Sequence, residues 1–109
     1  MLRGADGSYF LASGQGVVQS KDTGKSWSLL AGQGPIVVGM TLANGRLYAQ
    51  DGTSSAGLRS ARLDALDMWD TAPSPPLSNG SCEWLDFDPT HNVMYASCFD
   101  GGVWREVLP

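Results

Sequence analysis

The 109-residue sequence predicts an all-β chain of short antiparallel strands set in repeated units. Three observations lead there. Fourteen Gly and six Pro interrupt most windows of helical length, and the one tolerable helical stretch, Leu58 to Trp69, is rich in turn-prone Ser and Asp. Short runs holding β-branched or aromatic residues recur between Gly, Asn, Asp and Ser, as strands between turns do. The chain also repeats itself. Tyr9-Phe10-Leu11-Ala12-Ser13, Arg46-Leu47-Tyr48-Ala49-Gln50 and Val93-Met94-Tyr95-Ala96-Ser97 resemble one another.

Taken in order, strands are expected near 8–13, 16–21, 26–30, 36–42, 46–50, 57–62, 68–71, 82–88, 93–98 and 102–107. Each repeated segment follows a turn pair: Asp6-Gly7, Asn44-Gly45 or His91-Asn92. Each is followed by a Gly-led strand: Gly16-Val17-Val18, Gly57-Leu58-Arg59 or Gly102-Val103-Trp104. Trp27 and Trp69 close the first two units. Ile36 to Leu42 and Cys82 to Asp88 supply the strand before each of the last two repeated segments. The central alanines, Ala12, Ala49 and Ala96, set a spacing of 37 and then 47 residues. Four strands in roughly 40–50 residues is the rhythm of β-propeller blades. Three matched units disfavour a small β-sandwich whose hairpins are alike by chance. The expected architecture is about two and a half to three four-stranded blades in a single domain. Blade 1 covers approximately 1–32, blade 2 covers 33–77, and a partial blade 3 covers 78–109.

Composition narrows the function classes. Hydrophobic residues are 42% and charged residues 17%, enough apolar material to bury a core. A net charge of -4 without any basic cluster argues against a nucleic-acid partner. No apolar run is long enough to span a membrane, and MLRGADGSYF lacks the apolar stretch of a signal peptide, which leaves the cytoplasm as the default location. Cys82 and Cys98 fit no metal-site spacing and His91 is the only histidine, so neither a metal nor a cofactor is expected. The two cysteines flank a hairpin in which they would face each other. Either they form a disulfide, stabilising by about 3 kcal/mol in the loop-entropy model, or they are small buried apolar side chains, the reading favoured without a secretion signal.

The most legible motif is SKDTGKSW, Ser20 to Trp27. Its Thr23-Gly24-Lys25-Ser26 looks like the end of a phosphate-binding loop, but that loop needs a Gly where Gln19 stands, and a helix after it. Trp27-Ser28-Leu29-Leu30-Ala31-Gly32 leaves no room for a helix. A second reading matches at every defined position. Asp22 would accept hydrogen bonds from turn N–H groups, Gly24 would supply positive φ, the hydroxyls of Ser20 or Ser26 would satisfy further turn groups, and Trp27 would return into the sheet and bury its ring between blades.

Ser20-x-Asp22-x-Gly24-x-Ser26-Trp27 resembles the Asp-box, the bacterial neuraminidase repeat of sialidases, xyloglucanase-type glycoside hydrolases, sortilin-type receptors and a photosystem II assembly factor. The motif covers eight residues. The looser repeat covers most of the chain. In the second unit Arg62 stands near the expected Asp, with Asp64 or Asp67 as possible replacements, and the third unit ends before its box. The resemblance implies a sialidase-like propeller, which usually has six or more blades. Exposed blade faces therefore predict self-association into a homodimer or a higher closed oligomer. It also implies a non-catalytic scaffold, an interaction or carbohydrate-binding module. The alternative is a fragment or subunit of a sialidase-like or xyloglucanase-like glycoside hydrolase.

The sialidase arginine trio and Tyr–Glu pair do not map onto this chain. The local candidates for catalysis are Asp86 and Asp88. Strand alternation puts them with Trp84 on one face of Cys82–Asp88, and Glu83, Leu85 and Phe87 on the other. Two carboxylates beside a Trp look like a glycosidase or sugar platform. The plainer reading has Asp88 starting the turn before Pro89-Thr90 and Asp86 facing solvent. Trp84, Asp86 and Trp104 are the ligand-binding candidates, for a glycan or a protein ligand. Trp69, Trp84 and Trp104 are more commonly packing residues. His91 is expected to be exposed. Asn79-Gly80-Ser81 is a glycosylation sequon in an expected connector from Thr71 to Asn79.

Overall fold

A computed structural model describes residues 1–30, 37–51, 58–72, 82–98 and 102–108, without the side chains of Val38, Asp51, Thr71, Ala72, Cys82, Glu83 and Cys98. The sequon lies outside the described residues, as does most of the connector. Eleven strands are formed: β1 (Leu2–Arg3), β2 (Tyr9–Ser13), β3 (Gly16–Ser20), β4 (Ser28–Leu29), β5 (Val37–Ala43), β6 (Arg46–Asp51), β7 (Leu58–Arg62), β8 (Trp69–Ala72), β9 (Cys82–Asp88), β10 (Val93–Cys98) and β11 (Gly102–Val107). No helix occurs among the described residues, so none is long and apolar enough to cross a membrane. The strands make three antiparallel sheets, β1-β2-β3-β4, β5-β6-β7-β8 and β9-β10-β11, each pairing neighbours in sequence. The first sheet has a short inner strand, β1, that the sequence reading did not assign.

Turn chemistry explains the hairpins. Asn44 and Gly45 both have positive φ (52° and 74°), the combination a two-residue hairpin turn needs. The turn before β2 is held by Asp6, whose Oδ1 accepts the Ser8 N–H at 3.0 Å. The turn before β10 is held by Asp88, whose Oδ1 accepts the Thr90 N–H at 2.9 Å. In both cases the N–H sits two residues on from the carboxylate.

The middle sheet has both faces covered. Its Met40, Leu42, Leu47 and Ala49 meet Phe10, Val17 and Leu2 of the first sheet. Its opposite face, with Ala43, Tyr48 and Leu58, meets Met94, Leu85, Phe87, Trp104 and Leu108 of the third. Leu47 and Leu58 are fully buried, worth about 1.5–3 kcal/mol each in removed apolar surface. Asn44 Nδ2 donates to Asn92 Oδ1 at 2.6 Å, tying the inner turns of the second and third units together.

Cross-strand register corrects the phase of the first repeat. The residue after the leading glycine pairs with Ala12 in the first sheet (Val17), Gln50 in the second (Leu58) and Ser97 in the third (Val103). Phe10 therefore corresponds to Tyr48 and Tyr95, and Ala12 to Gln50 rather than Ala49. Because strand side chains alternate, this one-residue slip decides which face each residue occupies. With it, Phe10 and Val17 cover the second sheet in the way that Tyr48 and Leu58 cover the third. The corrected phase also aligns Asp6-Gly7 with Asn44-Gly45 and Ser8 with Arg46, whereas matching Ala12 to Ala49 leaves Ser8 as an extra residue between turn and strand.

Candidate functional site

The SKDTGKSW segment joins β3 to β4. Asp22 Oδ1 accepts the Ser20 hydroxyl at 2.8 Å and the Ser26 N–H at 2.8 Å, while Oδ2 accepts the Ser26 hydroxyl. Ser20 Oγ accepts the Gly24 N–H at 2.8 Å. Thr23 and Gly24 are both left-handed, with φ of 61° and 89°. Trp27 Nε1–H donates to the Gly24 carbonyl at 3.1 Å. The Ser26 hydroxyl, then its N–H, then the Ser20 hydroxyl, hold the Asp22 carboxyl at about 2. A phosphate would need the concavity this carboxylate occupies, and the Gly24 and Ser26 N–H groups are already used. The loop is a self-satisfied turn. One expectation is corrected: Trp27 remains 38% exposed and lies against its own turn instead of burying its ring between sheets. Continuing the Val18↔Leu29 and Gln19↔Ser28 pairs sets Trp27 on the face of Val18 and Leu29, which no other sheet covers among the described residues, and the indole N–H finds a local carbonyl.

The second connection, β7 to β8, is a relative of the first with other chemistry. Trp69 Nε1–H donates to the Leu66 carbonyl at 2.9 Å, again three residues back. Asp64 stands five residues before Trp69, as Asp22 does before Trp27. The Asp64 carboxylate pairs with the Arg62 guanidinium at 2.8 Å. The turn is closed by main-chain bonds from Ala65 N to Arg62 O and from Met68 N to Ala65 O. Leu63, Leu66 and Trp69 pack into the core between the first two sheets.

In the third sheet, alternation along β9 follows the sequence expectation. Leu85 and Phe87 pack inward. Trp84 is 72% exposed and Asp86 is exposed on the opposite face. Asp86 Oδ1 accepts the adjacent Phe87 N–H at 2.9 Å. Asp88 Oδ2 lies 2.6 Å from His91 Nδ1. The His91 hydrogen bond lowers the Asp88 pKa most; burial opposes it in part, and the Thr90 N–H lowers it further. His91 itself is exposed. Trp104 belongs to a different environment. It is paired with Ala96 and packs with Leu85 under the second sheet, on the face opposite Trp84 and Asp86. The three ligand-binding candidates therefore do not share a surface. Trp84 lines an open cleft of about 330 Å³ with Leu2, Ala12, Gly39, Met40 and Leu85, where the three sheets converge.

The hairpin register runs evenly from Val93↔Asp88 to Ser97↔Trp84 and then shifts, setting Cys98 opposite Cys82. Their side chains lie outside the described residues. Sequence reasoning missed a cross-strand group on the second sheet. Arg46 Nε donates to Ser60 Oγ at 3.1 Å, and its Nη2 reaches Asp70 Oδ2 at 2.7 Å. These residues sit on three adjacent strands, so only the register could have joined them.

Comparison with family models, with curated proteins and with solved structures returned no match.

Proposed function

We propose that the chain is a non-catalytic Asp-box repeat scaffold of the β-propeller kind, serving as an interaction or carbohydrate-binding module. The observation that carries the reading is the repeated stacking: corresponding residues, Phe10 and Val17 in one sheet and Tyr48 and Leu58 in the next, each cover the following sheet. The Asp22 network supports a structural role for the box, since its hydroxyl, carboxylate and N–H groups are spent on one another. Self-association and a glycan or protein ligand belong to the same reading.

The cleft beside Trp84 is the place for a ligand. An exposed indole edging a largely apolar cleft, with the Asp86 carboxylate on the same strand face, offers a stacking surface and an acceptor for sugar hydroxyls. The hydrolase alternative is weaker. A general acid needs a raised pKa, and Asp88 is lowered and committed to its turn. A glycan-binding screen with wild type, Trp84→Ala and Asp86→Asn tests the proposal. Binding that is lost in Trp84→Ala, without turnover of glycosides, is expected. Turnover abolished by Asp86→Asn would establish the hydrolase instead. No glycan bound by the wild type would remove the carbohydrate reading and leave a protein ligand.

A further inference from the structure

The third sheet leaves bare the face that its two predecessors cover. Tyr95 and Val103 correspond to Tyr48 and Leu58, and to Phe10 and Val17. Those four counterparts are between 0% and 7% exposed, whereas Val103 is 73% exposed and Tyr95 37%. Val107, on the same face, is 68% exposed. Exposed apolar surface gathered on one sheet face marks a contact surface.

The complementary half is present in the same chain. Within the molecule, each covering face sits on the opposite face of the next sheet. In the first sheet that opposite face carries Tyr9, Leu11, Val18 and Leu29, and among the described residues no other sheet covers it. Leu11 is 36% exposed and Leu29 54%; the Leu11↔Val18 and Val18↔Leu29 pairs place them side by side. Charge agrees with shape. The first-sheet face has Arg3 on its inner strand, with its guanidinium 6.0 Å from the centre of the Tyr9 ring. The third-sheet face has Asp86 and Asp88 on its inner strand, and Arg105 further out. If the internal stacking is continued, inner strand lies over inner strand, and Arg3 of one copy meets the two carboxylates of another.

We infer that the outer face of the third sheet docks the outer face of the first sheet of a second copy, head to tail, repeating the stacking already used twice within the chain. The inference rests on the repeat-scaffold reading and adds the surfaces and the polarity of the contact. A head-to-tail contact uses two different patches, so it forms a ring if the rotation closes and a filament if it does not.

The test is sedimentation velocity over a wide range of concentration, with wild type, Val103→Asp, Leu11→Asp and an equimolar mixture of the two variants. Near-UV circular dichroism checks that each variant keeps its packed aromatic residues; both substituted side chains are exposed, so folding should survive. The wild type is expected to show a mass at least about twofold that of one chain. Each variant alone should be monomeric, because each has lost one of the two patches. The mixture should return to a dimer and stop there, since one intact pair of patches remains. A monomeric wild type overturns the inference. So does association lost in Val103→Asp but kept in Leu11→Asp, which would mean that third sheets pair with each other. Association untouched by either change would also overturn it. The glycan screen is read separately, so a monomer that binds glycan would sink the docking and spare the ligand reading.

Discussion

The two Trp-closed connections solve one structural problem with different physics. Both return the chain from the third strand of a sheet to the fourth, and both end with an indole N–H on the carbonyl three residues back. The first, Lys21 to Trp27, is exposed along most of its length. It is held by a carboxylate, two hydroxyls and two left-handed residues. The second, Leu63 to Trp69, lies against the first sheet, where a solvated carboxylate turn would lose its water. There Leu66 stands in place of Gly24 and Met68 in place of Ser26, and Leu63, Leu66 and Trp69 anchor the turn by burial. The comparison teaches that the Asp22 network is a polar device for a turn without cover, and that apolar residues replace it where a neighbouring sheet supplies cover.

Substituting the two tryptophans separates these mechanisms most sharply. Trp69→Ala should cost about 2–3 kcal/mol by chemical denaturation, below the cost of a fully buried ring because Trp69 is only half-buried. Trp27→Ala should cost less than about 1 kcal/mol, since its ring packs against its own turn and outside the buried clusters. Equal effects would erase the distinction. Gly24→Ala should come next, at about 1 kcal/mol, because φ of 89° strains any L side chain. An added Cβ would meet nothing closer than Trp27 Cζ2 at 3.8 Å, so the cost is backbone strain alone.

The carboxylate itself is tested by acid. The folded-state pKa of Asp22 is depressed from 3.8 to about 2. Its stabilisation is therefore present above the ordinary value and is lost as pH falls from 3.8 toward 2. Wild type should lose stability in that window more steeply than Asp22→Asn, whose remaining loss reflects Asp6 and Asp88, both also lowered. Parallel acid profiles would show that Asp22 does not hold the turn. The smallest effect belongs to Asp64→Ala. The Arg62–Asp64 pair is largely exposed on both sides, so its loss should change stability by no more than about 0.5 kcal/mol. A larger loss would mean that the second turn still depends on its carboxylate.

Much of this was legible without coordinates. Ten of the eleven strands could be placed because turn residues punctuate them, and β9, β10 and β11 have the bounds that composition implies. The self-contained chemistry of SKDTGKSW was readable because its partners lie within a few residues of one another. The face assignments of Trp84, Asp86 and Leu85 followed from period-two alternation alone. β1 escaped notice because two residues carry no periodicity. Trp27 was expected inside because large rings usually are, and nothing local reveals that the face it shares with Val18 and Leu29 has no other sheet over it among the described residues.

The sequence by itself determined the strands, their turns and the Asp22 network, because those depend on φ preferences and hydrogen bonds between near neighbours. Tertiary structure decided the phase of the first repeat and the separation of Trp104 from Trp84. Each of these depends on which residue stands opposite which across a sheet or between sheets. A slip of one residue reverses the faces while leaving local preferences unchanged.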